Sequence, residues 1–176
     1  MADPPTRRPR FAVVTLSDRA ADGTRPDEAG PLAAQLLRDA LGTDAAHCDV
    51  LPDDAGRLER RLVELADVER CDLVVTTGGT GLSPRDVTPE ATLAVIDREV
   101  PGIAEAIRAG GLAVTPLAML SRGVCGQRGR TLILNLSGSP KAVREQLAIV
   151  LPVLPHALAT GAGVVLDCGR DPHSGL

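Results

Sequence analysis

The feature that most restricts the fold is a repeated alternation of short valine-rich apolar runs, polar turns and segments with helical periodicity. Phe11–Leu16 is an apolar run rich in valine, the signature of a buried strand. A turn-rich stretch follows over 17–31. Leu32, Leu36 and Ala40 then recur every four residues beside Ala33, Leu37 and Leu41, predicting a helix stopped near Gly42. His47–Leu51 reads as a second strand, and Leu58, Leu62 and Leu65 mark a second helix. Residues 72–77 form the next strand around Leu73-Val74-Val75. Beyond a glycine-rich turn, Thr88-Pro89-Glu90 opens a helix. There Thr88 can cap, Pro89 suits the first helical position and Glu90 complements the dipole.

A helix is expected over about 102–109, ended by Gly110-Gly111. Thr131–Leu136 reads as a core strand. Ser139 and Pro140 cap and open a last helix that must break near Pro152 and Pro155, and 164–166 reads as a short final strand. Strands alternating with helices call for an α/β fold, a three-layer α/β/α sandwich with a mostly parallel central sheet. With 176 residues the chain suits one domain over 11–166, between a flexible N-terminus at 1–10 and a flexible tail at 167–176.

Composition narrows the function. Aromatic residues make up 1% of the chain and Phe11 is the sole example, so the core is built from Leu, Val, Ile and Ala, and base-stacking platforms for RNA or single-stranded DNA are lacking. A formal net charge of -4 argues against broad contact with a phosphate backbone, so no nucleic-acid partner is expected. Cys48, Cys71, Cys125 and Cys168 show no C-x-x-C spacing and do not cluster with His47, His156 or His173. They read as small buried hydrophobes in a reducing compartment rather than zinc ligands, and the histidines as structural or exposed groups. The polar start lacks the apolar segment of a signal peptide, and no apolar run approaches the ~18 residues of a membrane span. The expectation is a cytoplasmic protein without membrane contact.

Ligands of open α/β sheets bind beyond the carboxyl ends of the strands. Three such ends are rich in chemistry: Ser17-Asp18, residues 76–86, and residues 135–141. Gly78, Gly79 and Gly81 permit close backbone approach and positive φ, and successive N–H groups there can cradle an anion. Thr76, Thr77, Thr80 and Ser83 add hydroxyls. The loop matches neither common phosphate-loop pattern, and its glycines are equally explained by a tight strand-to-helix turn. Asp86 suits Mg²⁺ or a polar ligand group, or else a helix-start charge. Arg85 is either a phosphate contact or a solvated charge. Gly138, Ser139 and Pro140 form a second glycine turn at a helix N-terminus, where backbone donors favour an anion. Lys141 opposes the dipole there unless it meets a phosphate. Of Asp53 and Asp54, one caps the following helix and the other can reach the site. Arg19 and the 22–28 run read as a solvated loop.

In combination these segments resemble the molybdopterin adenylyltransferase family, the Mog/MoaB group. The resemblance spans about 11–159. Its strongest part is Thr-Thr-Gly-Gly-Thr-Gly at 76–81 followed by Ser-Pro-Arg-Asp-Val-Thr-Pro-Glu at 83–90. Supporting pieces are Thr-Leu-Ser-Asp-Arg at 15–19, Leu-Pro-Asp at 51–53, Pro-Gly-Ile-Ala-Glu at 101–105, Leu-Ser-Arg at 120–122 and Asn-Leu-Ser-Gly-Ser-Pro at 135–140. The chain departs from the family at Ser137, where proline is common, and at Asp27-Glu28-Ala29-Gly30, a loose match to Asp-x-Ser-Gly.

The resemblance implies a homotrimer that adenylylates molybdopterin with ATP and Mg²⁺, releasing pyrophosphate, and hands its product to a molybdenum-insertion protein. By motif, Asp53 and Asp86 correspond to catalytic aspartates, with Asp86 at the metal. Thr76, Thr77, Gly78, Gly79, Thr80 and Gly81, with Gly138, Ser139 and Pro140, correspond to nucleotide-contacting loops. Ser17, Asp18, Ser121 and Arg122 flank the pterin. Two other readings stay open on the residues: a pterin- or nucleotide-binding module without turnover, and a hydrolase or salvage enzyme for another phosphorylated substrate.

Overall fold

The computed structural model of the chain describes residues 7–164. In chain order the elements are β1 (Phe11–Leu16), α1 (Asp18–Ala21), α2 (Ala29–Leu41), β2 (His47–Leu51), α3 (Ala55–Val63), β3 (Leu73–Thr77), α4 (Thr88–Val95), β4 (Arg98–Glu99), α5 (Pro101–Leu112), β5 (Cys125–Arg128), β6 (Thr131–Leu136), α6 (Pro140–Val150) and α7 (Leu154–Gly161). A π-turn at Glu64–Val68 extends α3, and a 3₁₀ segment at Pro116–Leu120 follows α5.

The sheet order is β2-β1-β3-β6-β5-β4. The first four strands are parallel and β5 and β4 add antiparallel. Side chains alternate across each central strand, as strand geometry requires. Phe11, Val13, Leu73, Val75, Leu132 and Leu134 face one core with α2, α6 and α7, while Ala12, Val14, Val74 and Ile133 face the other with α3 and α4. Both faces are therefore covered, which is why these strands read as continuous apolar runs. The expected three-layer architecture is the observed one.

Several local expectations give way to tertiary contacts. The 17–31 stretch contains α1 and the first turn of α2. The helix expected to end before Gly110-Gly111 continues to Leu112; a side chain at Gly110 would strike Ile149 of α6, so that glycine serves helix packing rather than termination. Thr88 is no cap: α4 has none, and the Thr88 hydroxyl donates instead to the Gly78 carbonyl at 2.9 Å. β4 and β5 were not expected, since Arg-Glu and Cys-Gly-Gln-Arg carry no apolar alternation; β5 owes its form to pairing with β6, and β4 to pairing with β5. Cys71 and Cys125 are buried as expected, and burial pushes the Cys125 thiol up to about 12. Cys48 is exposed, on the edge strand β2. His47 has a partner, the Glu69 carboxylate at 3.3 Å. Val164 lies outside any strand, and the rest of the 164–166 expectation, with Cys168, His173 and the tail, lies outside the described residues.

Among the described residues no single helix is long and apolar enough to cross a membrane. The α6–α7 pair qualifies only jointly, across a 67° bend. Val143, Leu147, Val150, Leu154 and Leu158 of that pair are buried in the core.

Candidate functional site

Register brings the chemistry together. Thr15 pairs with Thr77, Thr77 with Leu136 and Leu16 with Leu51, so β2, β1, β3 and β6 end at one level. The loops bearing Asp53, Ser17-Asp18, the glycine run and Ser137-Gly138 therefore leave the sheet side by side. The convergence expected from the three strand ends is thus present.

Both turn geometry and close approach demand the glycines. Gly78 (φ 93°) and Gly79 (φ 63°) sit in the left-handed region. A Cβ on Gly78 would strike the Leu16 carbonyl, and one on Gly79 the Thr88 side chain. A Cβ on Gly138 would lie 3.0 Å from the Gly78 Cα, so the two glycine turns stack backbone on backbone. The Gly78 N–H donates to the Leu136 carbonyl at 3.1 Å, and is spent inside the fold rather than aimed at an anion.

Two clefts open on this layer. The first, about 370 Å³, is bounded by Thr15, Ser17, Asp18, Asp53, Thr77 and Pro140 among others. The second, about 710 Å³, runs from Thr80, Gly81, Ser121 and Ser139 to an apolar flank of Ile107, Val114, Leu117, Leu120 and Ile149. Gly79, Asp86 and Gly138 line both.

The carboxylates are held by short bonds. The Asp18 N–H donates to Asp53 Oδ2 at 3.1 Å, and the Asp53 N–H to Asp18 Oδ1 at 3.0 Å. Arg85 grips Asp18, with Nη2 at 2.7 and 2.8 Å from its two oxygens. The Ser83 N–H donates to Asp86 Oδ2 at 2.8 Å. Asp54 caps α3 by accepting from the Arg57 N–H, which leaves Asp53 as the residue facing the cleft. The two linked aspartates shift in opposite senses. Hydrogen bonds from Arg85 hold the Asp18 carboxyl below its usual range, helped by the Asp53 N–H. Burial pushes Asp53 up, and the negative charges of Asp18 and Asp86 add to it against the Asp18 N–H and Arg85.

Other expected residues divide. Ser17 lines the first cleft while its hydroxyl caps α1, and Ser139 caps α6. Ser121 lines the second cleft. Thr76 lines neither: it is fully buried, and its hydroxyl accepts from Asn135 Nδ2 at 3.0 Å on the α4 side of the sheet. Strand alternation sends Thr76 and Thr77 to opposite faces, and only Thr77 reaches a cleft. Arg122 braces the glycine loop. It donates to the Gly81 carbonyl at 2.7 Å and the Asp86 carbonyl at 2.6 Å, and pairs with Glu90. Lys141 is exposed beside Glu145 and lines neither cleft.

Asp27, expected in a solvated loop, belongs to the first cleft. It accepts from the Thr15 hydroxyl at 2.7 Å and from the Ala29 and Gly30 N–H groups, fixing the start of α2. An aspartate two residues before a helix was the available signal. Asp18, Asp53 and Asp86 line one cleft and offer hard oxygen donors to it. No protein-only cage of three acidic or imidazole groups is assembled among the described residues. One or two carboxylates completed by substrate phosphates are what Mg²⁺ ordinarily takes, so the residues fit that ion.

The family described as "Probable molybdopterin binding domain" matches residues 12–156. The molybdopterin adenylyltransferase of Helicobacter pylori is 40% identical over 149 residues, covering 84% of this chain and 85% of that protein. That of Escherichia coli is 46% identical over 139 residues, covering 78% and 71%. The crystal structure of the molybdopterin biosynthesis enzyme MoaB from Thermus thermophilus superposes with a TM-score of 0.80 at 51% identity, covering 88% of this chain and 97% of that one.

Proposed function

The chain belongs to the molybdopterin-binding domain family of molybdenum cofactor biosynthesis, and from that premise we propose that it transfers an adenylyl group from ATP to molybdopterin. The observation that carries this reading is the pair of clefts sharing Gly79, Asp86 and Gly138. Two ligands lying across them meet at one carboxylate and two backbone turns. The terminal phosphate oxygen of the pterin attacks the α-phosphorus of ATP, the bond to the β-phosphate breaks and pyrophosphate leaves. Both reactants are anions, so the protein's task is positioning and charge stabilisation more than proton transfer.

In this reading Thr77, Gly79, Thr80 and Gly81 with Gly138, Ser139 and Pro140 hold the nucleotide, and Ser17, Asp18 and Ser121 flank the pterin. Thr76 and Arg122 act through the loop they fix. Asp86 and Asp53 would hold Mg²⁺, which when bound offsets the charge of the phosphates. The carboxylates orient and neutralise; Arg122 keeps Asp86 in place through its carbonyl.

The proposal includes a trimer, a cytoplasmic setting and delivery of the product to a molybdenum-insertion activity. Leu112 and Met119 stay exposed around α5 and the 3₁₀ segment, next to the Val114 and Leu117 flank of the second cleft, which supports self-association along that cleft's rim. Light scattering tests it, and a monomer at micromolar concentration would remove it. For the reaction, protein, ATP, Mg²⁺ and molybdopterin should give adenylyl-molybdopterin and pyrophosphate. Tight pterin binding with no pyrophosphate would replace the enzyme by a binding module.

A further inference from the structure

The glycine loop carries a guanidinium whose partner belongs to the cleft wall. Arg85, from the β3–α4 loop, donates to both oxygens of Asp18 through Nη2 and to Oδ2 through Nε at 3.1 Å. Asp18 stands at the end of β1, so the pair ties two of the converging loops together. The wall around it is acidic, with Asp27, Asp53 and Asp86 lining the same cleft, and Arg19 and Arg25 the cations among its lining residues. Arg122 is committed to the loop carbonyls and Glu90.

We propose that the Asp18–Arg85 pair is an exchangeable clasp: a phosphate of the incoming nucleotide takes Arg85, and Asp18 is released to the divalent cation that accompanies it. The proposal rests on the nucleotide-binding reading above and moves Asp18 within it, from the pterin side to the cation beside Asp53 and Asp86. Three observations support it. First, the side chains are 63% and 44% exposed, and a pair so wetted is held weakly enough to exchange. Second, the planar fork now on a carboxylate fits phosphate oxygens equally well, and a phosphate offers more charge. Third, Asp18 is also held by the Asp53 N–H, so its carboxylate keeps its place when the guanidinium leaves. Without a ligand, each charge neutralises the other and the acidic cleft repels an approaching anion less. With the ligand, both charges are again paired.

The test is calorimetric binding of inorganic pyrophosphate and of ATP, without divalent cation and then with Mg²⁺. Asp18→Asn keeps an oxygen for the Asp53 N–H but loses its charge. It should bind metal-free pyrophosphate about threefold more tightly than wild type, because Arg85 is already free. The same variant should lose most of the gain that Mg²⁺ gives to ATP binding. Arg85→Gln should bind pyrophosphate about tenfold more weakly. The double variant should match Arg85→Gln, since freeing an absent guanidinium gains nothing. In the wild type, the Arg85 Nε–H resonance should shift on adding pyrophosphate, a readout that needs no variant.

A merely structural brace predicts that both single variants weaken binding together, and that result overturns the clasp. So does wild-type affinity in Arg85→Gln, or an unmoved Nε–H resonance in protein that binds pyrophosphate. Wild-type protein that binds neither pyrophosphate nor ATP would overturn the nucleotide reading as well.

Discussion

The two ends of β3 use the same residue type for opposite purposes. Just before the strand, Asp72 is 5% exposed and saturated with donors: Arg7 at 2.7 and 2.9 Å, Arg130 at 2.7 Å and the Arg10 N–H at 2.8 Å. At the opposite edge of the sheet, Asp53 past the end of β2 and Asp86 past the end of β3 each accept from one backbone N–H and face a cleft. A carboxylate with its lone pairs filled pins the chain. A carboxylate with spare acceptor capacity, kept in place by a single bond, is available to a ligand. The contrast separates stability from chemistry without appeal to sequence motifs.

The largest expected effect tests the open end. Asp86→Asn should lower kcat by about 10²–10³-fold, the cost of removing one preorganised charge-stabilising group, with an unchanged denaturation midpoint. Full turnover in that variant would remove Asp86 from the mechanism. At the closed end, Asp72→Ala should do the converse. It should lower unfolding free energy by about 2–3 kcal/mol, because two guanidinium groups and an N–H lose a shared partner, and leave turnover intact at a temperature where the protein stays folded. Urea titration beside a pyrophosphate-release assay reads both.

Gly79→Ala tests the loop between them. Its positive φ and the Thr88 side chain both oppose a Cβ. A loss of about 1–3 kcal/mol with a raised KM is expected, and a neutral outcome would mean that the loop shifts freely.

The smallest effect concerns Asp53. Its folded-state pKa is raised, so its contribution to stability is fully present below the ordinary value of 3.8 and is lost as pH rises through the folded value. Asp53→Asn should therefore melt slightly above wild type at neutral pH and lose that advantage as pH falls toward 3.8, while its activity is impaired. Asp18 has the opposite sign. Its lowered pKa gives stability that is present above 3.8 and lost as pH falls through the folded value, and Arg85→Gln should reduce it to the part that the Asp53 N–H supplies. Melting curves across that range separate the two aspartates.

Much of this was legible in the chain. The apolar runs at Phe11–Leu16 and Thr131–Leu136 are strands because both faces are covered, and burial on two sides leaves no alternation to misread. Ser139 was readable as a cap, and a cap was readable at one of Asp53 and Asp54, because caps are local: the donors that Ser139 and Asp54 satisfy lie three residues on. The contacts of Arg122, Thr76 and Asp27 were not legible, for the converse reason. Their partners at Gly81, Asn135 and Thr15 are 41, 59 and 12 residues away, and no local rule reports such contacts.

By itself, the sequence determined the layered α/β architecture, the glycine turn and the aspartates at the strand ends, since periodicity, capping and positive φ are properties of neighbouring residues. Tertiary structure alone decided which aspartate is closed and which is open, that Thr77 and not Thr76 meets a cleft, and that Arg85 rests on Asp18. Each of these depends on how strands and loops distant in the chain are brought together, and strand register sets that arrangement. Register is a collective result of packing both faces of the sheet at once.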